Sequence, residues 1–356
     1  MKRIGIMLDW ALMQNGIEGK PTYERLDYYV EIGKELGLEP VFFHPRHLHL
    51  KTKQVTGHFW DGAKLIPRTV SIPAVIHNRV LSGQPPTRAI IRQLSKTYKV
   101  FNEIVIRDKG KVHQILWKNK WIRSYLPKTI SYSRLSFQQF LQKSPVVYVK
   151  PSIGSVGVGV VRIERHKGKF VSISSRQRKI LTKGSLTSEM GKWVGKRRFL
   201  VQEGIPLAKY RDETFDIRVS VQRNGMGKWS ISGMVAKVAN TANKLSNLAQ
   251  GGQAIKLDKV LDELFSQEES RIVKMRLGLA AVDIARQYAS QFPSLADLGM
   301  DMGIDGKGNP YLIEVNVRDQ RYSFFEAGEL EMFHRTYRHP MEYGKSLFRE
   351  KNKKQI

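Results

Sequence analysis

The 356-residue chain contains no cysteine. Disulfides, thiolate metal sites and cysteine nucleophiles are therefore excluded, and a reducing compartment such as the cytosol is compatible with the sequence. Long hydrophobic runs are missing as well. Nothing approaches the roughly 18 consecutive apolar residues of a membrane-spanning helix, so no membrane insertion is expected. The opening Met1-Lys-Arg-Ile-Gly-Ile-Met-Leu-Asp9 ends its apolar stretch at Asp9. It reads as a first strand rather than a secretory signal, and a cytoplasmic location follows as the expectation. Acid is the third shortage: 32 Asp and Glu face 60 Lys and Arg, leaving a net charge of +28.

What is present is globular. A hydrophobic fraction of 41% with 10% aromatics supplies a full core, and the length has room for two or three subdomains. The basic excess is concentrated. Between Arg162 and Arg198 stand 12 basic residues against Glu164 and Glu189 alone, and the end from Arg349 to Ile356 reads as a second, frayed basic run. Such charge is either a solvated surface or an attraction to a polyanion, such as an acidic peptide or an anionic polymer. Nucleic acid is the weaker candidate, because no zinc-finger spacing, recognition helix or aromatic RNA-binding signature accompanies the charge.

The most informative stretch is Asp301-Met-Gly-Ile-Asp-Gly-Lys-Gly-Asn-Pro-Tyr-Leu-Ile-Glu314-Val-Asn316. Gly306, Gly308, Asn309 and Pro310 are turn formers between two strand-like segments. Glu314 and Asn316 are two apart, so in a strand both leave one face. A hairpin would bring Asp301 opposite them. Such an oxygen set suits Mg²⁺, a hard cation held by one or two carboxylates with water and phosphates completing its shell. An ordinary hairpin with a polar outer face is the alternative.

Upstream, Ile4–Leu8, the helical spacing from Thr22 to Leu36, and Leu38–Phe43 form a strand–helix–strand unit of parallel-sheet character. No dinucleotide glycine fingerprint follows its first strand. A strand reaching His77-Asn-Arg79 and a helix over Thr87–Leu94 come next. His44, His47, His49 and His58 have no acidic ligand among them and read as loop or core histidines. A helix is expected over Val112–Lys118. Pro145–Lys150 then reads as a strand, followed by Pro-Ser-Ile-Gly154-Ser155-Val-Gly157-Val-Gly159 and another strand. Its glycine order is the reverse of the Rossmann fingerprint, and no Walker lysine follows. What remains is a hairpin loop whose backbone N–H groups can close over phosphates, with Lys150 adding a cation. Further on come the strand Phe199–Glu203, paired strands around Asn224–Gly227 with Asp216 and Arg218 on one face, the polar loop Asn247–Gly252, and a helical period from Leu261 to Tyr288.

Taken in order, these parts resemble the ATP-grasp superfamily, and the run from Asp301 to Gly328 together with His77-Asn-Arg79 resembles its YheC/YheD-like branch, described as endospore-coat-associated. The resemblance implies an α/β fold. A Rossmann-like pre-ATP-grasp domain over residues 1–105 would precede two α+β subdomains, 106–200 and 201–340, that clasp ATP between them, and 341–356 would be a basic tail. It implies ATP and Mg²⁺ as cofactors. Lys109 and Lys150 match the lysines on the phosphates. Gly154, Ser155, Gly157 and Gly159 match the phosphate lid. Gln202, Glu203 and Ile205 match the hinge that holds adenine and ribose. Asp216 and Asn247 join the cofactor set, Arg218 and Lys237 match catalytic cations, and Asp301, Glu314 and Asn316 match the metal ligands. Arg318-Asp-Gln-Arg321 stands where many relatives carry a proline, and Lys237 replaces a common arginine, a point charge without the bidentate fork. The implied chemistry is a carboxylate–amine ligation through an acyl phosphate, associated with sporulation. The acceptor would be acidic, docked on the 162–198 segment and on Arg318 and Arg321. The other implied function is a spore-coat structural or binding protein that keeps the fold without catalysis.

Overall fold

The computed structural model describes residues 1–81, 83–103, 106, 108–154, 157–174, 177–239 and 252–349. The first unit is a seven-stranded sheet of β1 (Lys2–Met7), β2 (Leu38–Phe43), β3 (Leu48–His49), β4 (Gln54–Trp60), β5 (Leu65–Ser71), β6 (Val75–Asn78) and β7 (Lys99–Phe101). β1 lies between β2 and β6, parallel to both, and β7 continues in parallel beyond β6. Helices α1 (Trp10–Ile17), α2 (Leu26–Leu36) and α3 (Pro85–Leu94) belong to this unit. α2 starts four residues later than the sequence spacing suggests and stops at Gly37, whose φ of 72° provides the left-handed cap. The β4–β5 hairpin escapes a reading by periodicity. Its turn is closed by Asp61, whose Oδ1 accepts from the amides of Ala63 and Lys64.

The second unit is a six-stranded antiparallel sheet in the order β12-β11-β10-β9-β13-β8. Its strands are β8 (Thr129–Ser131), β9 (Val146–Pro151), β10 (Val161–His166), β11 (Lys169–Ser174), β12 (Arg178–Leu181) and β13 (Phe199–Glu203). Helix α4 (Lys109–Trp117) leads into it, and α5 (Arg134–Lys143) and α6 (Lys183–Val194) cover one face. Phe137 and Leu141 of α5 and Leu186, Met190 and Val194 of α6 bury that face against Val147, Val149, Val161, Ile163, Phe199 and Val201. The basic stretch folds into three strands and a helix whose apolar residues face inward while most of its cations stay exposed.

The third unit has β14 (Lys209–Tyr210), β15 (Glu213–Arg223), β16 (Trp229–Val238), β17 (Gln253–Lys256), β18 (Asp297–Ile304) and β19 (Pro310–Asn316). Helices α7 (Leu257–Leu264) and α8 (Gln267–Ala289) cover its apolar face, where Ile217, Val219, Met234, Met300 and Met302 meet Leu277, Ala281 and Ile284. The single helix expected over Leu261–Tyr288 is two. Ser266 and Glu269 form a capping box that starts a new helix after Phe265. Helices α9 (Tyr322–Glu326) and α10 (Leu330–Leu347) cross the opposite face and seat the first unit on it. Phe324, Phe333, Tyr337 and Met341 share a core with Ile4, Ile6, Tyr29, Phe42 and Phe101. A tail beginning at 341 is therefore corrected: Met341, Tyr343, Gly344 and Leu347 are buried helix residues. Residues 350–356 lie outside the described chain.

Candidate active site

Strand alternation lays out a row of charges across the third sheet. On β15, Asp216 and Arg218 leave the face opposite the α8 core. Register puts Lys237 of β16 opposite Asp216, and Asp301 of β18 opposite Arg218. Lys237 Nζ donates to Asp301 Oδ1 at 2.8 Å and forms an ion pair with Asp216 Oδ1 at 2.8 Å. Arg218 donates from Nε to Asp301 Oδ1 at 2.9 Å and from an Nη to Asp319 Oδ1 at 3.1 Å. Both cations are 7% exposed. Burial works against the Asp301 carboxylate, but Arg218 and Lys237 outweigh it and hold the group well below the usual carboxylate range. Lys237, likewise opposed by burial, is held above its ordinary value by Asp301 and Asp216.

Glu314 stands opposite Asp301, and a register shift between Asp301 and Met302 makes this possible. Without it Leu312 and Glu314, two apart on one strand, would share a face. The bulge sends Leu312 into the core and Glu314 to the charged face. Asp301 Oδ2 has only longer contacts, to Asn316 Nδ2 at 3.2 Å and to Arg218 at 3.4 Å. The structure thus gathers the three expected metal ligands. Two carboxylates and an amide side chain are the kind of donor set that Mg²⁺ takes when phosphates share its shell; here the Asn316 amide turns its Nδ2 toward Asp301. Among the described residues no three His, Asp or Glu side chains gather to cage a metal by themselves; the four histidines from 44 to 58 form no such group either.

The second unit faces this row with its lysines. Lys109 opens α4, and its Nζ lies 2.9 Å from Glu314 Oε1 while donating at 2.6 Å to the carbonyl of Gly154. One side chain therefore joins the glycine loop to the expected metal strand. Gly157 and Gly159 take φ of 68° and 80°, which favour glycine, and a side chain on Gly159 would press on Pro151. Lys150 of β9 donates at 2.7 Å to Gln202 Oε1, and Gln202 in turn donates to Thr129. Burial pushes Lys150 down to about 8, with Glu314 opposing and Lys109 adding to the fall. Glu203 is already engaged, since its Oε1 accepts from the Lys128 amide at 2.7 Å. Ile205 lies in the short link from β13 to the third sheet, where its carbonyl accepts from the Leu207 amide. Ser155 and Asn247 lie outside the described residues.

Sequence reasoning missed several groups. Asp108 caps α4 and accepts from Ser152, fixing Lys109 beside the loop. Asp319 is the second carboxylate on Arg218. A buried network lies deeper on the same face: Arg79 donates to Glu24, to Asp297 Oδ2 at 2.7 Å and to the Asp319 carbonyl. Arg321 donates to Asp297 Oδ2 at 3.0 Å and to the Tyr29 hydroxyl. The alternation Asp297-x-Gly299-x-Asp301 was its available signal. Arg318 and Arg321, expected to greet an acidic acceptor, are each 2% exposed. They are structural cations, consumed by carbonyls and carboxylates inside the molecule.

This geometry can be set beside known proteins. The chain is 24% identical over 293 residues to the endospore coat-associated protein YheD of Bacillus subtilis, covering 79% of this chain and 64% of YheD. It is 22% identical to the endospore coat-associated protein YheC of the same organism, covering 93% of this chain and 94% of YheC. Among solved structures, the D-cycloserine synthetase DcsG superposes with a TM-score of 0.55 at 11% identity, covering 94% of this chain and 98% of that one. The D-alanine-D-alanine ligase of Coxiella burnetii gives 0.51 at 11% identity, with 98% of each chain covered. These structures share the fold. Residues 97–347 match the model of the YheC/D-like ATP-grasp family, and the chain belongs to that family.

Proposed function

We propose that the protein binds ATP with Mg²⁺ and works as a carboxylate–amine ligase. The observation that supports this most is the position of Lys109, between the Gly154 carbonyl and Glu314. It brings loop, lysines and acidic strand together at one cleft between two units. Lys109 and Lys150 would neutralise phosphate oxygens, with the loop of Gly154, Ser155, Gly157 and Gly159 excluding water. Gln202, Glu203 and Ile205 would frame the base and ribose. Arg218 and Lys237, oriented by Asp216, Asp301 and Asp319, would face the transferred phosphoryl group, with Asn247 near them. Asp301, Glu314 and Asn316 would hold Mg²⁺, whose charge screens the phosphates.

The γ-phosphoryl group passes from ATP to a substrate carboxylate oxygen, giving ADP and an acyl phosphate. An amine then forms the C–N bond at the carbonyl, phosphate leaves, and the amine proton goes to solvent. Positioning and charge neutralisation are what this step needs, and no protein nucleophile takes part. The net charge of +28 favours an acidic peptide or anionic polymer as acceptor. The same charge also suits a second reading, a coat-associated structural or binding protein without turnover, in keeping with the description of YheC and YheD. ADP release over a panel of glutamate-rich peptides, with hydroxylamine present to trap the acyl phosphate as a hydroxamate, separates the two. Peptide-dependent hydroxamate supports the ligase; ATP binding with no ADP release under any acceptor supports the second reading.

A further inference from the structure

We propose that the free edge of β12 is a docking strand for an acidic peptide, which joins the second sheet as an added strand. β12 has β11 on one side and, among the described residues, no strand on the other. Ser174 N donates to Gln177 O at 3.0 Å, so that pair is hydrogen-bonded. Alternation along an antiparallel ladder then turns the backbone groups of Lys179 and Leu181 toward β11 and those of Arg178 and Ile180 outward. Among the described residues no strand takes up the N–H and C=O groups on that outward side.

The side chains there are unusual for an unused edge. Ile180 is 66% exposed, a large apolar residue where natural edges normally place charge or proline to prevent pairing. Arg178 is exposed beside it, while Lys179 and Leu181 turn to the other face, against Glu189 of α6 and the core. From Arg178 a cross-strand row runs over the face opposite α5 and α6 through Ile173, Arg162 and Tyr148 to Gln202, the partner of Lys150. A peptide on β12 would lie about 5 Å beyond that strand and roughly 20 Å from β9. It would anchor a polymer whose reacting end reaches the cleft.

Charge selects the occupant. Both acids of the 162–198 stretch are paired within it, Glu164 to Arg162 and Glu189 to Lys179, and Asp108 pairs with Arg198, so most of the described cations of the stretch have no acidic partner. A second copy of this chain would bring like charge to like charge. An extended acidic segment meets both demands, with main-chain hydrogen bonds for affinity and carboxylates for Arg178. The proposal rests on the reading of an acidic acceptor made above.

The test uses the full chain and a fluorescein-labelled hexaglutamate peptide, read by anisotropy, beside the same peptide fully N-methylated. We expect the N-methylated probe to bind at least tenfold more weakly, since it retains its carboxylates and loses its donors. Ile180→Pro removes an outward N–H while sparing the β11 ladder and should weaken the plain peptide by a similar factor. Arg178→Glu should weaken it too, and ATP affinity should be unchanged in both variants. Equal binding of the two peptides, unaltered binding by Ile180→Pro, or no binding by the wild-type chain would each overturn the docking strand. ATP binding in the same samples keeps the ligase reading separate: its failure counts against that reading, whatever the peptide does.

Discussion

At the residue scale the cleft depends on which side chains keep their protons. Lys150 has its ordinary value of 10.5 lowered to about 8. Between those values the unfolded chain holds the proton and the folded chain releases it, so this group makes stability rise with pH across that window. Phosphate needs the charged form, so nucleotide affinity runs the other way. We predict that the ATP dissociation constant climbs above about pH 8, by up to about tenfold per pH unit. Lys150→Arg should flatten that profile in a fluorescence titration; a flat wild-type profile would remove Lys150 from the phosphates. The convergence of Asp301, Glu314 and Asn316 was legible because hairpin chemistry and two-residue alternation are local. Asp319 was not. It meets Arg218 only because the chain folds back after β19 through Arg318, an arginine with φ of 138° held by the Asn102 carbonyl at 2.6 Å.

At the element scale, β18 shows how a backbone position serves a side chain elsewhere. A Cβ on Gly299 would lie 2.4 Å from Asp319 Oδ1, the atom that accepts from Arg218. Gly299→Ala should therefore displace Asp319, cost about 1–3 kcal/mol in denaturant unfolding, and weaken turnover more than ATP binding. Equal stability would mean that the contact gives way freely. The elements that sequence reasoning read correctly are those with a strong local period: β1, β2, β9, β13 and the hairpin of β18 and β19. Those it misread are governed by context. Density of lysine and arginine hid β11, β12 and α6, whose apolar positions alternate beneath the charge, whereas β10 was legible as the strand after the glycine loop. The end of α10 looked like a basic tail because Met341, Tyr343 and Leu347 are apolar only on the face that meets the first unit.

At the scale of the whole molecule, the first unit is bound to the third by the buried set of Glu24, Arg79, Asp297 and Arg321. Asp297 is fully buried, which alone would raise its value; Arg79 and Arg321 outweigh this and hold it well below 3.8. Its contribution is present above that ordinary value and lost as pH falls below it. Arg79→Ala leaves a buried carboxylate short of its partner and should cost about 3–5 kcal/mol in denaturant unfolding. A loss under 1 kcal/mol would show the units to be held by apolar contact alone. The same network continues through Asp319 to Arg218, so the acidic strand and the seat of the first unit share a framework.

The account turns on whether this cleft binds nucleotide through its acidic strand. The most direct measurement is isothermal titration calorimetry of ATP, with and without Mg²⁺, on the wild-type chain and on Glu314→Ala. The prediction is binding that requires Mg²⁺ and weakens at least tenfold in the variant. No ATP binding by the wild-type chain, or binding indifferent both to Mg²⁺ and to Glu314, would contradict it.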